Sequence, residues 1–144
     1  MNFEFCILNL IDTPGHVDFG YEVSRALACV EGAILLVDAT QGVQAQTIAN
    51  LHLAQKEHLV IIPVINKIDL ASSDVARTKE ELRSLIGDRA DSTICVSAKI
   101  GTCVEMLLHE LVRRVPPSDR DVDAPLRALI FDSVYDSYQG IIAH

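Results

Sequence analysis

Four short, almost unbroken apolar runs, separated by stretches of helical periodicity, constrain this chain more than any other feature. The runs are residues 5–11, 32–37 (Gly-Ala-Ile-Leu-Leu-Val), 59–65 (Leu-Val-Ile-Ile-Pro-Val-Ile) and 93–96. Runs this short that do not alternate apolar with polar residues read as strands covered on both faces, the habit of parallel sheets. Helical periodicity fits residues 21–30, about 44–57 and 74–86, and a further helix follows Thr102. Strand–helix alternation of this kind predicts an α/β fold, a parallel sheet flanked by helices and joined by right-handed crossovers. The chain has 144 residues, 49% of them hydrophobic, enough apolar material for the core of one such domain.

Local signals sharpen the boundaries. Asp74 is placed to cap the helix that ends at Gly87. Thr102 with Glu105 reads as a capping box before Leu107, Leu108, Leu111, Val112 and Val115, and Arg113 and Arg114 complement the negative end of that helix. The pattern breaks at Pro116-Pro117. Residues 1–117 therefore read as the α/β unit, 118–124 as a polar linker, and 125–144 as the first strands of a second, β-barrel unit. Within that last piece the expected strands are 126–132 and 139–143, separated by Tyr135-Asp136-Ser137-Tyr138.

Charge and cysteine content exclude some functions. The net charge is −8, from 20 acidic and 12 basic residues, so this segment is not expected to grip nucleic acid through a basic face. Cys6, Cys29, Cys95 and Cys103 form no Cys-x-x-Cys pair and have no histidine at zinc-ligand spacing. Cys6 and Cys95 sit in apolar runs, as buried reduced thiols would in a reducing compartment. No secretory signal is expected, since no basic start precedes an apolar stretch. The longest apolar runs are too short to span a bilayer.

Three polar motifs follow three of the strands. Asp12-Thr13-Pro14-Gly15-His16 comes directly after the first. A carboxylate there can hold Mg²⁺ through water. Gly15 lets a backbone N–H approach a phosphate without a Cβ in the way, and His16 could orient an attacking water. A plain turn explains Asp-x-x-Gly about equally well. Asn66-Lys67-Ile68-Asp69 follows the third strand. The Asp69 carboxylate can accept both the ring N1–H and the exocyclic amine of guanine, whereas adenine would leave it unpaired. Asn66 can tie neighbouring loops through its amide, and the Lys67 stem can cover a base face. Ser97-Ala98-Lys99 follows the fourth strand, where a small residue leaves a backbone N–H open to guanine O6. All three motifs fall at carboxyl ends of strands, the edge where open parallel sheets bind ligands.

These residues resemble the translational GTPases. Asp12 to Phe19 matches that family's second switch, Asn66-Lys67-Ile68-Asp69 its guanine-specificity motif, and Ser97-Ala98-Lys99 its last base-contacting loop. Residues 21–25, 37–43 with Gln46-Thr47, 61–67 and 128–133 with Tyr135, Asp136 and Tyr138 look most like the elongation factor 4 (LepA type) branch. The resemblance implies GTP and GDP as ligands with Mg²⁺ and the ribosome as a partner. It further implies hydrolysis in translation elongation with His16 catalytic and Asp12 beside the metal, in the cytoplasm or an organelle. The family's phosphate loop, Gly-x-x-x-x-Gly-Lys-Ser/Thr, occurs nowhere in these 144 residues, nor does the first-switch threonine. The expectation is therefore a fragment of a longer GTPase that does not hydrolyse GTP by itself and that folds with marginal stability. Two alternatives stand: a fragment of an elongation-factor-G-like GTPase, and a non-enzymatic remnant or interaction module. Elsewhere, Asp38 reads as a strand end that shapes a loop, His52, His58 and His109 as helix-surface side chains, and Tyr135 and Tyr138 as barrel packing.

Overall fold

A computed structural model describes residues 7–13, 20–118, 125, 130 and 133–143. Within these residues the chain runs α1 (Gly20–Leu27), β1 (Gly32–Asp38), α2 (Ala45–Lys56), β2 (Val60–Asn66), α3 (Val75–Ile86) and a 3₁₀ turn (Gly87–Ser92). Then come β3 (Ile94–Cys95), α4 (Val104–Arg114), β4 (Ser133–Asp136) and β5 (Gly140–Ala143). Strands β1, β2 and β3 form a parallel sheet in that order. The α/β class read from the sequence is the observed one.

Alternation along β2 builds two cores. Ile61 and Ile65 face one side with Leu35 and Val37 of β1, and there Val23 and Leu27 of α1, Leu51 and Ala54 of α2 and Leu82 of α3 close over them. Ile62 and Val64 face the other side, where Ile94, Val96, Leu107 and Leu111 join β3 and α4 to the sheet. Helix α4 covers β2 and β3 but leaves Ile34 and Leu36 of β1 exposed on the same side.

Pro63 lies inside the central strand, where a missing N–H would ordinarily break a ladder. The register removes the conflict. Val96 N–H donates to Ile65 C=O, so Ile65 and, two residues earlier, Pro63 direct their backbone polar groups toward β3. Pairing with β3 begins only at Val64. The absent donor falls where no partner strand runs.

Several expected boundaries shift. Residues 7–11 of the anticipated first strand pair with nothing among the described residues, and Ile7 and Leu10 are 86% and 68% exposed. An apolar run supplies the surface of a strand but not the neighbouring edge that makes it one. The capping box at Thr102 does not form. The N-cap of α4 is Cys103 at φ 58°, which makes no side-chain capping bond. The expectation for α3 holds: Asp74 accepts from the Arg77 N–H, and Gly87 ends the helix at φ 63°. In the last segment part of the expected 135–138 spacer is itself strand. Strand β4 starts at Ser133 and includes Tyr135, and it pairs antiparallel with β5 rather than with the parallel sheet. Asp136 accepts from the Tyr138 and Gln139 N–H groups to make the turn, which pulls the turn toward Tyr138. Tyr135 and Tyr138 are exposed rather than packed. Most of the linker and of residues 126–132 lies outside the described residues. Cys95 is half-buried, as is Cys29, whose thiol pKa is raised by burial. His52 sits on α2 and His109 on α4, while His58 follows α2 at φ 57°.

Leu82 is fully buried where α3 meets the larger core. Leu82→Ala is expected to cost about 3 kcal/mol in urea-induced unfolding, the range for a buried leucine that leaves a cavity. A loss well below ~1 kcal/mol would mean that α3 does not pack against the sheet as described.

Candidate functional site

The three parallel strands end at nearly one level, and that alignment assembles the site. Asp38, the last residue of β1, is the register partner of Asn66, the last of β2. The β3 chain reaches the same edge, with Ile68 N–H donating to Val96 C=O at 3.4 Å. Three loops therefore leave one sheet edge side by side, each beginning with a polar residue.

Asn66 joins two of them. Its Oδ1 accepts from the Lys67 N–H at 2.8 Å and from the Ala98 N–H at 3.0 Å. Ser97 makes a second tie. It is fully buried, and its Oγ donates to Asp69 Oδ1 at 2.6 Å while accepting from the Ile100 N–H at 3.3 Å. The Ser97 backbone is itself fixed, its N–H donating to Thr102 C=O and its C=O accepting from Gly101 N–H. Asp69 is exposed, and the Ser97 hydroxyl, with a smaller contribution from the Lys99 charge, holds its carboxyl pKa below the ordinary value. An ionised carboxylate has about four acceptor positions, so one bond from Ser97 leaves most of its capacity open to a ligand. One expectation changes: the Ala98 N–H is engaged by Asn66, so a ligand oxygen would have to share that donor.

Lys67 adopts φ 66°, and its Nζ lies 2.6 Å from Asp38 Oδ2. The other Asp38 oxygen accepts from the Thr40 N–H at 2.8 Å and the Thr40 Oγ1 at 2.7 Å. The bond from Lys67 is the main reason, with the Thr40 bonds adding, that the Asp38 pKa falls to about 2. The loop reading of Asp38 is therefore correct but incomplete. Its pairing with Lys67 was legible only once the β1–β2 register was known. A further buttress was not anticipated: Glu81 of α3 accepts from the Val43 N–H at 2.8 Å and from Arg77, bracing the loop after β1. Gly42 turns there at φ 72°, and a Cβ on it would lie 2.3 Å from Glu81 Oε2.

The structure thus brings together Asn66, Lys67, Asp69, Ser97, Ala98 and Lys99. Asp12 is exposed in the 7–13 segment, and no hydrogen bond or ion pair among the described residues links it to them. Gly15 and His16 lie outside the described residues. Among the described residues there is no group of three or more His, Cys, Asp or Glu arranged to hold a metal, and no helix long and apolar enough to cross a membrane.

A parallel sheet whose carboxyl edge carries these loops defines a nucleotide-binding domain, and comparison with known proteins places it. The chain belongs to the elongation factor Tu GTP-binding domain family, whose sequence pattern matches residues 2–117. It is 59% identical over 143 residues to elongation factor 4 of Clostridium perfringens (strain ATCC 13124), covering 99% of this chain and 24% of that protein. It is 61% identical over 136 residues to elongation factor 4 of Oleidesulfovibrio alaskensis, covering 94% of this chain and 23% of that one. The chain therefore spans about a quarter of the length of the curated relatives it matches. Among solved structures, translation elongation factor SelB from Methanococcus maripaludis, in complex with the GTP analogue GppNHp, superposes with a TM-score of 0.62 at 31% identity. That match covers 71% of this chain and 24% of the other.

Because the Asp38 pKa is lowered from 3.8 to about 2, its pairing stabilises the fold fully above pH 3.8 and is lost as pH falls through about 2. Asp38→Asn is therefore expected to flatten the fall in unfolding free energy between about pH 4 and pH 2, measured by urea titration at each pH. Parallel pH profiles for wild type and variant would refute this pairing.

Proposed function

We propose that the corner formed by Asn66, Lys67, Asp69, Ser97, Ala98 and Lys99 binds the guanine base of GTP or GDP. The observation that carries this reading is the pair of ties across the sheet edge, Asn66 to Ala98 and Ser97 to Asp69. Together they set an ionised carboxylate, suited to guanine's N1–H and amine, beside the Ala98 N–H, which guanine O6 would share with Asn66. The solved relative with a bound GTP analogue supports the same ligand class.

The longer protein, on this reading, hydrolyses GTP to GDP and phosphate on the ribosome during elongation, in the cytoplasm. Asp12, a single exposed carboxylate, suits a hydrated Mg²⁺ carried in with the phosphates rather than a cation caged by protein. That ion would neutralise charge on the phosphates. His16, at the position the family resemblance marks, would orient water. The 144 residues contain no phosphate-cradling Gly-x-x-x-x-Gly-Lys-Ser/Thr loop, so this stretch alone is proposed to contribute base selectivity and not turnover. The acidic surface fits contact with the ribosome through other parts of the longer protein. The 118–124 stretch is proposed as a linker, with 125–144 opening a second domain.

Titration of the chain with guanosine and adenosine, followed by NMR, tests the site directly. Guanosine is expected to shift the Lys67, Asp69 and Ala98 amides and adenosine to leave them in place. Asp69→Asn is expected to weaken guanosine about 30-fold, since a charged acceptor is lost, and to favour xanthosine, whose C2 carbonyl matches the new amide donor. An unchanged guanosine affinity in Asp69→Asn would place the base elsewhere.

A further inference from the structure

Asp38 uses its two carboxylate oxygens for different purposes. Oδ1 closes the local turn by accepting from the Thr40 N–H and hydroxyl. Oδ2 plays no part in that turn and instead holds the Lys67 ammonium at 2.6 Å. Shaping the loop needs only the first oxygen, so the second calls for its own explanation. The carboxylate is also the better anchored partner, with its side chain 19% exposed against 50% for the lysine. Lys67 meanwhile holds φ 66°, a conformation a side-chain-bearing residue adopts only when its surroundings impose it.

The direction of the contact matters. The Lys67 backbone leaves the end of β2, and its ammonium is captured at the end of β1. The four-carbon stem must therefore run along the carboxyl edge of the sheet from β2 toward β1, next to Asn66. Resting on the proposed guanine site, we infer that Asp38 is a positioning residue for base recognition: by fixing the Lys67 ammonium through Oδ2, it stretches the lysine stem into an apolar rail against which a purine face lies. Without the anion, the stem samples many rotamers and must be ordered at the moment of binding, which weakens affinity.

Asp38→Asn separates this role from loop shaping. The amide oxygen still accepts from Thr40, but the charge that holds Lys67 is gone. The probe is guanosine, which is neutral, so its own attraction to the protein is insensitive to salt while the Asp38–Lys67 pair is screened by it. NMR titration of the full 144-residue chain is expected to give about fivefold weaker guanosine binding for D38N than for wild type. Wild-type affinity should also fall about twofold between roughly 0.05 M and 0.5 M NaCl, with D38N unaffected by the same change. A folded D38N that binds guanosine as tightly as wild type overturns the inference while leaving the base site intact. Failure of the wild type to bind guanosine sinks the base-site reading, and this inference with it. Should D38N not fold, the salt titration of the wild type decides, and salt-independent binding there overturns the proposal.

Discussion

The parallel register of β1 on β2 is the constraint from which the rest of the site follows. Seven consecutive pairs run from Gly32 with Val60 to Asp38 with Asn66, so the two strands end together. Ending together puts a carboxylate and a carboxamide side by side, with Lys67 one residue beyond. A slip of a single residue would turn Ile61 and Ile65 out of the larger core and Ile62 and Val64 out of the smaller. The apolar packing of the sheet thereby sets the alignment of polar groups at its edge.

Two ties then stiffen that edge. Asn66 spans from its own loop to the Ala98 N–H, and Ser97, fully buried, reaches Asp69. Both bonds join residues about thirty positions apart, and both depend on β3 lying beside β2 for only two residues. The short third strand is sufficient because α4 packs Leu107 and Leu111 onto Ile94 and Val96 from the other side. Helix α3 works similarly on the β1 side. Leu82 enters the larger core while Glu81, its neighbour, holds the Val43 N–H.

Much of this was legible in the sequence, for reasons that can be named. Continuous apolar runs at 32–37 and 59–65 identified β1 and β2 because a strand covered on both faces has nowhere to place polar residues. Asp74 and Gly87 marked α3 because caps are local chemistry. What escaped reading was non-local. Residues 7–11 have the composition of a strand, yet among the described residues they find no paired edge, which composition does not supply. Thr102 with Glu105 has the spacing of a capping box, but the helix starts one residue later, with Cys103 in the left-handed region at the cap position. The Asp38–Lys67 pair joins residues 29 apart and exists only through the strand register. In the hairpin, the Asp136 side chain fixed the turn at Tyr138, later than the tyrosine-rich spacer suggested.

Pro63 has a consequence for this edge that its burial alone does not convey. Its backbone faces β3, but β3 begins pairing one residue later, at Val64. If β3 slid two residues toward the start of β2, every side chain would keep its face. That alternative is therefore the hardest for packing to reject. It would, however, require an N–H from position 63, which proline lacks. The ring acts as a stop against sliding. It sets the height at which the β3 loop leaves the sheet, and with it whether the Ala98 N–H arrives level with Asn66 or a full residue pair out of reach.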